Sequence, residues 1–272
     1  MKLIRQYPLE EKDLALFEYE GVWLPINDKM AFFYMCNALP GEQTIVKLSF
    51  DQSGELVSHA SYPIEGKIVL PWQWRVVSEN DATYLSVAKD DFCICAEDGT
   101  CKVVEGVYHE PECCDTKTYV FEDVAISRKG SRGYRGKSVS TGKTLWERSG
   151  KGYLYTEMLP YGDQVIFGTA EAGGKLYCID PATGESVYEV DTGGTIHYLI
   201  EGKYIYCLRL MKNSALLKID LDSGEVVREV PLPGKAIHCS TIGKMGNLIY
   251  TVTFLHYEKD VKDPIVCVIE ES

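Results

Sequence analysis

The sequence predicts an all-β chain, a six-bladed β-propeller of four-stranded sheets closed by pairing an N-terminal strand with the C-terminal blade. Three observations predict it. A glycine turn recurs at a near-constant spacing, short β-prone runs flank each turn, and the two chain ends each carry part of one repeat.

The turns read Asp-Gln-Ser-Gly-Glu, Ala-Glu-Asp-Gly-Thr, Val-Ser-Thr-Gly-Lys, Pro-Ala-Thr-Gly-Glu and Leu-Asp-Ser-Gly-Glu, with glycines at 54, 99, 142, 184 and 224. The intervals are 45, 43, 42 and 40 residues, the period of a propeller blade. Glycine belongs at the last position of a three-residue hairpin loop because that position needs a positive φ, which a Cβ disfavours.

Ahead of the turns lie Thr44–Leu48, Lys175–Ile179 and Ala215–Ile219, which read as third strands. Behind them lie Glu185–Val190 and Glu225–Val230, whose partial alternation suits outer strands with one wet face. A second signature follows the fourth strand, at Tyr62-Pro63-Ile64-Glu65-Gly66-Lys67 and Val230-Pro231-Leu232-Pro233-Gly234-Lys235. It recurs at the start as Tyr7-Pro8-Leu9-Glu10-Glu11-Lys12. The chain therefore begins with a fourth strand lacking its third, and ends near Pro264–Ile269 with a third strand lacking its fourth. The expectation is that residues 3–8 complete the blade begun by residues 236–270, giving a single domain over 1–272 without an open edge.

The net charge of −12 disfavours nucleic acid and anionic lipid, and suits a basic protein partner. No apolar stretch is long enough to span a bilayer, and the first residues lack the apolar core of a signal peptide. A cytoplasmic protein is expected. The 10 cysteines are scattered, without the framework of a small secreted scaffold, and read mostly as buried reduced thiols.

Tyr177-Cys178-Ile179-Asp180-Pro181-Ala182-Thr183-Gly184-Glu185, Lys218–Glu225 and Ser140-Thr141-Gly142-Lys143-Thr144-Leu145-Trp146-Glu147 resemble the pyrroloquinoline-quinone-like repeats of the quinoprotein alcohol dehydrogenase-like propellers. The likeness is one of blade grammar, good in blades three to five and weak in the first two and the last. The dehydrogenases of that group have eight blades, are exported, and hold quinone beside a calcium ion and a disulfide of adjacent cysteines. This chain has an adjacent pair, Cys113-Cys114, but its blade number, length and expected compartment depart from the pattern. No cofactor is expected.

Several clusters could carry chemistry, and each has a plainer reading. His197 and His238 occupy matching places in successive blades, where the innermost strand should run, and could face a central channel. No third ligand accompanies them, so hydrogen-bonded channel residues are the plainer reading. Cys95 would stand opposite Cys101 across a three-residue loop, forming a thiol pair with Cys93 nearby, although the spacing is not that of a zinc site. His109-Glu110-Pro111-Glu112-Cys113-Cys114-Asp115 is dense in ligand types yet also suits a solvated connection. Five cations and no acid occupy 128–137, including Arg132 and Arg135, either to grip an anion or as an exposed hairpin tip between the second and third strands of blade three. Trp72 and Trp74 suit a binding surface or the wedge between blades.

No phosphate loop, nucleophile elbow, His-Glu-x-x-His or paired-carboxylate motif is present. The expected function is a non-enzymatic protein-binding module or scaffold, one form being an acidic immunity or inhibitor-type protein. The alternative is a small-ligand or metal-dependent propeller with its site at the channel mouth. His197, His238, Trp72, Trp74, Arg132 and Arg135 are the candidate ligand contacts, with no catalytic residue assigned.

Overall fold

Strand β1 (Lys2–Pro8) pairs with the last strand of the chain. The computed structural model describes residues 1–9, 21–39, 42–64, 69, 74–107, 118–154, 156–170, 173–195, 197–257 and 261–271. Among them, four strands at a time follow each other in sequence and pair antiparallel. The first sheet holds β2 (Val22–Ile26), β3 (Lys29–Leu39), β4 (Glu42–Phe50) and β5 (Leu56–Ile64). The second holds β6 (Arg75–Glu79), β7 (Ala82–Ser86), β8 (Phe92–Cys95) and β9 (Cys101–Val103). The third holds β10 (Thr118–Phe121), β11 (Val124–Lys129), β12 (Gly133–Ser138) and β13 (Thr144–Ser149). The fourth holds β14 (Leu159–Tyr161), β15 (Gln164–Gly168), β16 (Gly174–Ile179) and β17 (Ser186–Gly193). The fifth holds β18 (Tyr198–Glu201), β19 (Tyr204–Arg209), β20 (Ala215–Asp220) and β21 (Val226–Pro231). The sixth runs β22 (Ile242–Met245), β23 (Leu248–Tyr257), β24 (Val261–Glu270), then β1.

The composite sixth sheet has the register Leu3↔Ile269 through Pro8↔Ile265. Both chain ends thus share one sheet, as the split repeat predicts. Arg5 and Tyr7 also tie β1 to the first sheet's turn. Arg5 pairs with Glu55 at 2.8 Å, and the Tyr7 hydroxyl lies 3.0 Å from the Gly54 carbonyl.

The chain divides into two compact units, residues 1–111 with 233–272, and residues 112–232. The first holds the first, second and sixth sheets; the second holds the third, fourth and fifth. The first unit's core stacks Trp23 on Phe32 at 4.1 Å, with Phe50 and Tyr250 beside them. The second packs Tyr134 against Phe167 at 5.1 Å and Phe167 against Tyr177 at 5.3 Å. No helix among the described residues is long and apolar enough to cross a membrane.

All five turn glycines have positive φ, between 68° and 82°. Only the first turn has the expected three-residue loop, closed by the Asp51 amide donating to the Glu55 carbonyl. The others are one residue longer: Asp180 N donates to Glu185 O, and Gly184 N turns back to Asp180 O. In the first, fourth and fifth turns the length goes with the place of the acceptor side chain. Asp51 stands three residues before its glycine and Asp180 and Asp220 four before theirs, and each carboxylate accepts amides of its own loop.

Four of these glycines, all but Gly142, also receive a side chain from another sheet of the same unit. A Cβ on Gly184 would stand 2.5 Å from the Trp146 indole, and one on Gly224 2.5 Å from Tyr188. Gly99 lies under Tyr62 and Gly54 under Val268 in the same way. The polar ends are satisfied at the same place: Trp146 Nε1 donates to Pro181 O at 2.8 Å, and Tyr188 Oη to Leu221 O at 2.9 Å.

Gly162 has a positive φ but open space around it, so it isolates backbone strain from the seat. Gly162→Ala is expected to cost about 1 kcal/mol, and Gly184→Ala a further ~1–3 kcal/mol for the clash with Trp146. Denaturant melts of both variants check this, and equal costs would remove the seat's role. Deleting residues 1–9 bares the edge of β24 and should yield aggregated protein; a soluble product with unchanged melting contradicts it.

Candidate interaction surface on the third sheet

Alternation along β10–β13 divides this sheet into two chemically different faces. Tyr119, Ile126, Gly136 and Trp146 stand in one cross-strand row, and Phe121, Val124 and Ser138 in another. This face forms the apolar core with Phe167, Tyr177 and Ile179 of the fourth sheet. Gly136 lets Trp146 lie flat across β12, because a Cβ there would stand 2.3 Å from the indole.

The opposite face carries Thr118, Ser127, Arg135 and Glu147 in one row and Val120, Ala125, Lys137 and Thr144 in the next, with Lys129 and Gly133 beyond. Ala125, Ser127, Gly133, Arg135 and Lys137 are half-buried, and Lys129 and Glu147 exposed. It is polar, mostly short-chained and cationic. Lys129 forms an ion pair with Glu147, and Arg135 Nε donates to Ser127 Oγ at 3.4 Å. The hydrogen bond from Lys129, reinforced by the charge of Arg135, holds the Glu147 carboxyl below its ordinary range.

At the β11–β12 tip, Arg132 is exposed and its guanidinium sits 5.0 Å from the Tyr153 ring centroid. Gly150 N donates to Arg132 O at 2.8 Å, which brings Lys151 and Tyr153 beside the tip. Arg148 is tied to the fourth sheet's turn, donating to Thr183 O at 2.9 Å. Residues 124–153 hold eight cations, Arg128, Lys129, Arg132, Arg135, Lys137, Lys143, Arg148 and Lys151, against Glu147 as the single acid. A search confined to 128–137 finds five of them. Carrying the charge count through the next strand and on to residue 151 would have added the other three.

The structure puts Arg132 and Arg135 on this hairpin, between the second and third strands of its sheet, and the other candidates elsewhere. Trp74 is only 5% exposed in the first unit's core, its Nε1 donating to Val69 O at 3.0 Å. His197 immediately precedes β18, and His238 lies in a turn closed by the Ser240 amide on Ile237 O, four residues ahead of β22. Neither histidine stands within an innermost strand, because the chain enters both sheets later than the spacing implies. Trp72 and the 109–115 segment, with Cys113 and Cys114, lie outside the described residues.

The thiol pair also shifts. The four-residue loop sets Cys101 opposite Ile94, while Cys95 N donates to Thr100 O. Cys95 is buried with its thiol 3.1 Å from Glu97, and Cys101 is exposed. No group of three metal-ligand side chains occurs among the described residues.

Among the described residues of the second unit, an open depression of about 490 Å³ lies at the β19–β20 turn, lined by Asp191, Gly193, Arg209, Met211, Lys212 and Asn213. Arg209 is forked onto Glu229 at 2.6 and 3.0 Å.

No protein-family model matches this chain, and no curated protein does. Among solved structures, BamB from Moraxella catarrhalis is similar over 91% of this chain and 71% of its own, with 15% identity and a TM-score of 0.37. The computationally designed Ika8 protein is similar over 91% of this chain and 82% of its own, with 11% identity and a TM-score of 0.41. The designed Ika4 protein covers 57% of this chain, with 12% identity and a TM-score of 0.39. Likeness at this level adds no argument to the sheet topology described above.

Burial raises the Cys207 thiol to about 12 and Cys267 to about 11, so neither forms the reactive thiolate near neutral pH. Among the described cysteines, Cys101 should react first with a thiol reagent, and Cys207 and Cys267 only on unfolding. Mass mapping of a time course checks the order; early labelling of Cys207 contradicts it.

Proposed function

We propose that the six sheets are blades of one propeller, closed through the β1–β24 pair, and that it serves as a non-enzymatic protein-binding module. The observation that carries this reading is the gathering of positive charge on one sheet: eight cations against Glu122, Asp123 and Glu147 over 122–153, in a chain of net charge −12. Patches of opposite sign on a stiff scaffold steer and orient a macromolecular partner. The seated turns supply the stiffness, and exposed Val57, Leu145, Val187 and Val227 on the outer strands supply apolar contact area.

The eight unbridged cysteines among the described residues support a reducing, cytoplasmic setting. The net charge favours a basic partner at long range, and an acidic inhibitor that occludes such a partner is one form of this reading. The blade grammar of the quinone-dehydrogenase group is the repeat from which the scaffold is built; no quinone chemistry is assigned.

Cross-linking in native extract followed by affinity capture tests the reading. One protein partner at near-stoichiometric yield is expected. A stoichiometric transition metal in the purified protein, with no partner captured, overturns it in favour of a ligand-binding or catalytic propeller.

A further inference from the structure

We propose that the depression between the fourth and fifth sheets binds a peptide of two or three residues as its zwitterion. Its terminal ammonium pairs with Asp191, its terminal carboxylate with Lys212 and Arg209, and an apolar side chain rests on Met211. The site goes beyond the protein-binding reading and stands without it, because every residue it uses lies within the unit 112–232.

Neighbouring sheets of that unit form its two walls. The end of β17 contributes Asp191 and Gly193, and the β19–β20 turn contributes Arg209 to Asn213. Leu210 N donates to Thr192 O at 3.1 Å, which locks one wall to the other. Gly193 permits that approach, since a Cβ there would stand 3.0 Å from the Leu210 carbonyl oxygen.

The walls carry opposite charge. Asp191 is exposed and accepts the Gly193 amide at 3.1 Å on Oδ1, leaving Oδ2 for a ligand. Lys175, its partner across β16–β17, is committed to Glu189 at 2.6 Å. On the facing turn, Arg209 donates to Glu229 from both Nη atoms, at 2.6 and 3.0 Å. Nε and the second hydrogen of each Nη stay available. Glu229 fixes the guanidinium plane in advance and offsets its charge, and exposed Lys212 adds the net positive charge of this wall.

Met211, between these two cations in the turn, is the residue that points to a ligand. Its φ is 65°, and it is 41% exposed. Every other non-glycine residue with positive φ among those described is Asn, Asp or Glu. Asn and Asp support the left-handed conformation through local hydrogen bonds, and methionine has none to offer. The strain is not offset by burial. A flexible, polarizable thioether at the surface of a recess suits an apolar group brought by a ligand.

Size selects the length of that ligand. A compact space of about 490 Å³ is about 10 Å across, and an extended chain advances about 3.5 Å per residue. Two or three residues therefore set their termini on opposite walls, while one amino acid reaches a single wall. A segment inside a protein chain has neither terminal charge, and a simple anion would face Asp191 without a cation to answer it.

Titration calorimetry of the full-length protein tests this with leucyl-leucine, its N-acetyl form, its C-terminal amide and free leucine. Leucyl-leucine is expected to bind saturably, and blocking either end or shortening to leucine should weaken binding roughly fivefold or more. Asp191→Asn should weaken leucyl-leucine by a similar factor and leave the N-acetyl form unchanged. Lys212→Gln should do the same with respect to the amide. Met211→Asn should raise the melting temperature and weaken leucyl-leucine. Should one variant lose its native melting transition, the other charge variant with its matching blocked peptide carries the test.

Absence of saturable binding at millimolar peptide overturns the proposal. So does equal binding of free and blocked forms, or binding unchanged by both Asp191→Asn and Lys212→Gln. A protein partner captured from extract in any of these cases leaves the protein-binding module intact and removes the peptide site alone.

Discussion

A side chain as large as Trp146 cannot rest on the next sheet's turn unless that turn offers a Cα without a Cβ. Gly184 meets this demand and, in the same residue, the positive φ by which the loop returns into β17. Tyr188 with Gly224 and Tyr62 with Gly99 repeat the solution. Each seat buries an aromatic ring and, for Trp146 and Tyr188, satisfies its polar atom on a loop carbonyl. Within each unit, the relation between these sheets is therefore set by steric fit, with hydrogen bonds fixing the angle of the ring.

That constraint frees the remaining surfaces. With Trp146, Tyr134 and Ile126 committed to one face of the third sheet, the other face need not be apolar. Its alternating positions carry Arg135, Lys137 and Lys129 at little cost in core packing. Eight of the chain's 28 lysines and arginines lie between residues 124 and 153 of this sheet and the segment that follows it.

Reading the repeat in sequence reached the glycine turns, the flanking strands and the split terminal repeat, because each depends on local chemistry: positive φ, alternation and the proline signature at Tyr7-Pro8. It missed one residue in four of the five loops, which moved Cys101 from Cys95 to Ile94. In the first, fourth and fifth turns loop length goes with where the acceptor side chain stands relative to the glycine, three residues away for Asp51 and four for Asp180 and Asp220. The histidines shifted for a related reason, since the entry to β18 and β22 is set by irregular segments that periodicity does not describe. Trp74 read equally well as surface or wedge, and only its bond to Val69 within the core distinguishes them.

The amino-acid sequence by itself determined the repeat, its turns and the sharing of the last sheet between Lys2–Pro8 and Val261–Glu270, because these follow from backbone preference and from patterns local to each strand. Tertiary structure alone decided which cations stand together. Arg132 meets Tyr153, and Arg135 lies between Ser127 and Glu147, through cross-strand register and the Gly150–Arg132 hydrogen bond. A one-residue change of register turns every side chain to the other face, so a surface of this kind exists only once the strands have paired.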